Sequence, residues 1–312
     1  MKIALAQIAP IWLDRKATLD KVISYVIQAA EQKAQLVVFG ETILPGYPFW
    51  LDATDGARFN TDLQKEMHAH YLKEAICLEA GDLNGLKVVA KEHKITVVIG
   101  IIERPLDRGG HSCYCSMVTI SAEGEVINVH RKLQPTYEER LCWSPGDGHG
   151  LRTMPIGEFN VGGLNCWENW MPLPRAALYG QGENLHLAIW PGNVRNTGVL
   201  TRFLAREGRS FCVSVCGIMR KQDIPESIPH AELIREKLSE MPADGGSCVA
   251  NPDGTWLIEP IADVETLVFA DLDLEYVLRE RQNFDPAGHY SRPDVTQLSV
   301  NRSRQSTVKF EE

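Results

Sequence analysis

The stretch Thr153–Ala176, "TMPIGEFNVGGLNCWENWMPLPRA", changes pattern twice within a short length of chain. "TMPI" and "FNVGGLN" are apolar, β-rich runs separated by a turn signal, so they read as strand, turn, strand. From about Pro172 the pattern becomes helical. A hairpin whose second strand feeds a helix belongs to a mixed α/β chain. A single thiol, Cys166, stands at that junction beside Trp167, Trp170 and the carboxylate of Glu168. Gly162 and Gly163 just before it are expected to let the backbone bend closely.

The same alternation runs outward in both directions. "KIALAQIA" and "AQLVVFGE" are short apolar strands, and the segment between them has helical spacing through Leu19, Val22, Ile23, Val26, Ile27 and Ala30. Asp14 is placed to cap that helix. A further helix is expected over Asn84–His93, followed by the buried strand "ITVVIGIIE". "CYCSMVTIS" and "EVINVHRKL" flank the turn "AEGE" and read as a hairpin. Beyond the opening stretch come the strand "LHLAIW", a helix from about Leu200 to Gly208, the strand "SFCVSVCGI", the hairpin "SCVANPDGTWLIEP", the strand "TLVFADLD" and the helix "LEYVLRERQ". No repeat, low-complexity tract or linker interrupts this order. It predicts one α/β layered domain over residues 1–285 with a tail, 286–312, and strands apolar throughout imply sheets covered on both faces.

Composition narrows the function. The 312 residues are 44% hydrophobic and 23% charged, as in an ordinary globular enzyme. A net charge of −9 with scattered basic residues argues against nucleic acid or an anionic membrane surface as partner. No segment approaches the roughly 18 to 20 apolar residues of a membrane span, and "MKIALAQIAPIW" reads as a strand rather than a signal peptide. A cytoplasmic location is therefore expected, where thiols stay reduced. The 8 cysteines include no CxxC pair, so most read as small buried hydrophobes. Cys212 and Cys216 share one face of a β-rich segment and are expected in the core.

Three strand ends carry reactive side chains, and chemistry in α/β proteins gathers at such ends. Glu41 follows "LVVFG"; a carboxylate at the mouth of an apolar strand is desolvated, which raises its pKa and suits it to be a general base. Lys132 ends "VINVHR", with Glu139 seven positions on, and its ammonium can stabilise developing negative charge. Cys166 ends "FNVGGLN". Each has an ordinary alternative: a helix cap or surface ion pair, a solvated lysine, an inert buried thiol. Their occurrence together, each at a strand terminus, favours catalysis.

With "GETILPGYPFW", "HRKLQPTYEER" and "GGLNCWENWMPL" in this order, the chain resembles the nitrilase branch of the carbon-nitrogen hydrolase superfamily over nearly its full length. The resemblance implies a four-layer αββα sandwich. It implies Cys166 as nucleophile, Glu41 as general base, Lys132 as stabiliser of the tetrahedral intermediate, and Glu139 as its support. It implies hydrolysis of a small-molecule nitrile through thioimidate and thioester intermediates, with no cofactor and no metal. It also implies a homodimer or larger homo-oligomer, including spirals, with the C-terminal tail in the contact. Cys166 is followed by Trp167, Glu168 and Asn169, as in nitrilases, whereas amidase-like relatives have Tyr or Arg and then Asp.

A linear nitrile calls for an apolar, aromatic pocket, for which Tyr47, Phe49, Trp50, Trp167 and Trp190 are the candidates; core packing is an equal reading for Trp190. Trp143 and Trp256 read as packing residues. Asn193 and Arg195, in a loop after Trp190, are candidates for substrate contact. His111 reads as a loop hydrogen-bonding residue, and His68 and His70, two apart, fall on different helix faces with no third metal ligand. Two other outcomes stay open: an amidase or carbamoylase of the same superfamily, and a catalytically silent, filament-forming scaffold. A papain-like protease would need a histidine base and a "CGSCW"-type context, which is absent.

Overall fold

The computed structural model describes residues 1–308 and 311. Among these the strands of the first half are β1 (Lys2–Gln7), β2 (Leu36–Phe39), β3 (Thr96–Glu103), β4 (Tyr114–Ile120) and β5 (Val126–Arg131). The second half supplies β6 (Met154–Ile156), β7 (Phe159–Asn165), β8 (Leu185–Trp190), β9 (Phe211–Cys216), β10 (Ile218–Met219), β11 (Ala243–Ala250), β12 (Trp256–Ala262) and β13 (Thr266–Asp271). They form two sheets. One has the order β13-β1-β2-β3-β4-β5; the other runs β10-β11-β9-β8-β7-β6, with β12 paired to β11. In each sheet three neighbouring strands are parallel, β1-β2-β3 and β7-β8-β9. Parallel neighbours require crossovers, which helices provide.

Side-chain alternation builds the layers. In β1, Ile3 and Leu5 face the second sheet and meet Phe159, Leu185, Leu187, Phe211 and Val213. Ala4 and Ala6 face the opposite way, onto Val22, Val26 and Ala29 of the helix Arg15–Glu31 and Leu86 and Ala90 of the helix Asn84–His93. In the second sheet, Ala188, Trp190, Cys212 and Cys216 point outward to Leu200, Leu204 and Ala205 of the helix Val194–Gly208. The fold is therefore helix, sheet, sheet, helix: the αββα sandwich. Asp14 caps the first helix, its Oδ1 accepting from the Ala17 amide at 2.9 Å.

Some local expectations change. The helix expected from Leu200 starts at Val194, because Asn193 takes the cap position and its side chain accepts from the Arg195 amide. Arg195 thus belongs to a helix, not a loop. The helix Ala231–Lys237 leaves little trace in the sequence, burying only Ala231 and Ile234. Gly162 and Gly163 lie inside β7 and do not bend it; a side chain at Gly163 would collide with the Met117 methyl of the facing sheet, at 2.9 Å. The turn is made three residues after Gly163, by Cys166 itself, at φ +47°.

The tail folds back on its own domain. Val300 packs on Leu151, Leu164 and Leu178, and Arg304 and Gln305 bind the two oxygens of Asp147 at 2.9 and 3.0 Å. The part of the tail expected as an oligomer contact that comprises Lys309, Phe310 and Glu312 lies outside the described residues.

Candidate active site

Two sheets stacked face to face bring the ends of β2, β5 and β7 to one place. Glu41 follows β2 and its amide donates to the Trp190 carbonyl at the end of β8, 3.0 Å away, which joins the two sheets. Lys132 follows β5, its amide held by the Cys115 carbonyl of β4 at 2.7 Å. Cys166 follows β7 and opens the short turn Cys166–Trp170. Thr42 and Cys166 both hold left-handed backbone, at φ +52° and +47°. Such strain persists only where surrounding structure enforces it, and it collects at functional sites.

The side chains converge. The Lys132 ammonium lies 3.0 Å from Glu41 Oε1 and 2.7 Å from Glu139 Oε2. One oxygen of each of these two carboxylates and the Cys166 sulfur lie within 4.8 Å of one another. Those three donors could hold a cation in principle, but the ammonium already binds both carboxylates. All four side chains are buried, Lys132 at 1% exposure. Glu139 sits in the turn Tyr137–Leu141; its Oε2 also accepts from the Thr136 amide at 2.6 Å, and its Oε1 from the Tyr47 hydroxyl at 3.0 Å.

Burial sets the protonation. It pushes the Glu41 carboxyl up to about 7, against the pull of Lys132 and with Glu139 adding to the rise. Burial also penalises the Lys132 ammonium, but Glu41, Cys166 and Glu139 outweigh it and hold the amine's pKa well above its usual value. The Cys166 thiol is pushed up by burial, opposed by Lys132 and by the Trp167 amide. At rest the site therefore pairs a thiol with a carboxyl poised near neutrality beside a fixed positive charge. Glu41 Oε2 is buried with no hydrogen-bond partner, which leaves it able to accept a proton.

A cavity of about 490 Å³ opens over this cluster, lined by Tyr47, Phe49, Glu139, Cys166, Trp167 and Pro191 among others. Asn193 also lines it; Arg195 does not. Two expected wall residues are elsewhere. Trp50 is buried in a core cluster with Trp12 and Tyr71, because the helix Trp50–Ala53 turns its ring inward. Trp190 ends β8 facing the outer helix layer, and its indole N–H donates to Ser214 at 3.2 Å. His111 is exposed and outside the cavity lining.

A model of the carbon-nitrogen hydrolase family matches residues 2–282. The chain belongs to that family. A nitrilase from Pseudomonas syringae is 36% identical, over 96% of this chain and 90% of its own. An aliphatic nitrilase from Sinorhizobium fredii is 35% identical, over 98% and 97%. Among solved structures, an amidase from Nesterenkonia sp. AN1 has the same fold, with a TM-score of 0.65 at 20% identity over 91% of this chain and 97% of that one.

This carbon-nitrogen hydrolase surrounds its cluster with partners that its motifs do not announce. The Trp143 ring, expected as plain packing, lies 5.4 Å from the Lys132 ammonium and stacks edge-on against Tyr47. Cys115 donates to Glu41 Oε1 at 3.4 Å. Asn169 donates to the Cys166 carbonyl at 2.8 Å and is itself held by His186, which binds Glu183. A histidine in a mostly apolar strand is the only sequence signal for His186, while Cys115 reads as a small hydrophobe, and nothing local says what either faces.

Proposed function

We propose that this carbon-nitrogen hydrolase is a nitrilase: it converts a small organic nitrile to the carboxylic acid and ammonia through a covalent intermediate on Cys166. The observation that carries the reading is the buried meeting of one thiol, two carboxylates and one ammonium beneath an aromatic-lined cavity, in a chain whose relatives are named nitrilases. In this reading Glu41 takes the thiol proton, and the sulfur adds to the nitrile carbon. The nitrogen takes that proton from Glu41, giving a thioimidate and restoring the carboxylate. Water then adds, its proton passing to Glu41; ammonia leaves carrying a returned proton, and a thioester remains. A second water releases the acid and restores the thiol. Lys132 and the Trp167 amide stabilise the negative charge that develops in each tetrahedral species. Glu139 holds Lys132 in place. Tyr47, Phe49 and Trp167 supply walls for a rod-like, weakly hydrogen-bonding group, and no metal or cofactor enters any step.

Ammonia release from a panel of aliphatic, arylaceto and aromatic nitriles tests this, with Cys166→Ala as control. Release by the wild type and none by the variant is expected. Turnover of amides without nitriles would move the protein to the amidase reading.

We also propose a homo-oligomer. Trp170, Leu173, Val199 and Phe203 are exposed apolar residues on or beside two adjacent outer helices, Pro172–Tyr179 and Val194–Gly208. Arg175 joins these helices, reaching Glu207 and the Phe203 ring. Tyr290, Val295 and Leu298 of the tail are exposed as well, in keeping with a contact there. Among the described residues no helix is long and apolar enough to cross a membrane. The 8 free cysteines suit a reducing cytoplasm.

A further inference from the structure

Glu168 follows the nucleophile by two positions yet does not line the cavity. Its side chain is fully buried, and five contacts surround its carboxylate. Oε1 accepts from the Leu133 amide at 2.7 Å and lies 3.2 Å from His130 Nε2. Oε2 lies 3.1 Å from the same imidazole nitrogen and accepts from the Asn165 amide at 2.9 Å and its side-chain amide at 3.4 Å. A carboxylate only accepts, so the His130 tautomer carries its proton on Nε2.

The donors come from two places. His130 and Leu133 flank the segment that carries Lys132, at the end of β5; Asn165 immediately precedes Cys166, at the end of β7. These strands belong to different sheets, so no ladder of backbone hydrogen bonds fixes their spacing. We infer that Glu168 is a positioning residue: its carboxylate ties the strand end bearing Lys132 to the strand end bearing Cys166 and so sets the place of the ammonium relative to the sulfur. Burial alone would raise its pKa, but His130 and the Leu133 and Asn165 amides hold it below the ordinary carboxylate range. It is therefore an anion near neutral pH, with both oxygens committed.

Glutamine cannot replace it. A side-chain amide offers one accepting atom and turns an N–H₂ group toward donors on the other side, so one of the two strand ends is released. A displacement of about 1 Å at a reacting group can cost on the order of 100-fold in rate.

The test compares Glu168→Gln and Glu168→Asp with the wild type, after circular dichroism and native mass have established folding and assembly. Two readouts are taken: kcat and KM on a hydrolysed nitrile, and the rate at which iodoacetamide alkylates Cys166. The kcat readout rests on the proposed nitrile hydrolysis; the alkylation readout does not, so it tests the tie even if no nitrile is turned over. Folded Glu168→Gln is expected to lose roughly 100-fold in kcat, with KM nearly unchanged and alkylation slowed. Glu168→Asp, which keeps the charge but is one methylene shorter, is expected to lose less. Wild-type kcat and alkylation in folded Glu168→Gln overturn the inference. If that variant does not fold, Glu168→Asp decides: a fall in kcat or in alkylation rate at unchanged KM supports the tie, and wild-type values for both overturn it.

Discussion

Glu41, the proposed general base, is the residue on which the pH behaviour should turn. A general base acts as its carboxylate, and burial places this one at about 7. The acid limb of kcat/KM should therefore rise through about 7 rather than near the usual carboxylate range, and Glu41→Gln should flatten activity to background. Cys115 offers a finer check. Its thiol donates to Glu41 Oε1 and so favours the ionised form, a smaller influence than burial and Lys132. Cys115→Ala should shift the limb to higher pH while leaving the fold intact; an unmoved limb would show that the contact does not matter. The candidates that meet in the cluster were legible, because acid, amine and thiol each stand at the end of an apolar run. Their protonation was not, since it depends on neighbours from other strands.

At the scale of elements, the site depends on strands approaching closely behind the reactive ends. Gly100, in β3, leaves no room for a side chain: a Cβ there would stand 2.4 Å from the Gly40 carbonyl, 2.5 Å from the Thr42 amide and 2.6 Å from Glu41 Cα. All three are backbone atoms and cannot swing aside. Gly100→Ala should cost about 1–3 kcal/mol through overpacking, seen as a lower Tm, and should reduce kcat by displacing Glu41. Most strands were readable from their apolar runs. The early start of the helix Val194–Gly208 was not, because "NVRNTG" is polar and carries a glycine, so only the Asn193 cap marks it. Trp50 and Trp190 fell in aromatic-rich motifs, and which way each ring turns is decided by its element's facing layer.

For the whole molecule, two sheets and two helix layers leave an apolar stripe on the helices of the second sheet. Val199 is 73% exposed there. Val199→Asp puts a charge in the middle of the proposed contact, where an unpaired desolvated carboxylate is costly. Light scattering should then report a smaller particle with an unchanged far-UV spectrum. An unaltered mass would place any assembly contact on another face.

What the chain alone determined is the alternation of strands and helices and the candidacy of Glu41, Lys132 and Cys166 at three strand ends, with Glu139 added by the family resemblance. Period and local chemistry are properties of neighbours along the sequence, so they can be read from it. Tertiary structure decided the rest: the meeting of β2, β5 and β7, the closing of Trp50 and Trp190 into the core, and the carboxylate of Glu168 between two sheets. Those depend on how separate layers stack, and distances across layers are set by packing that no local stretch encodes.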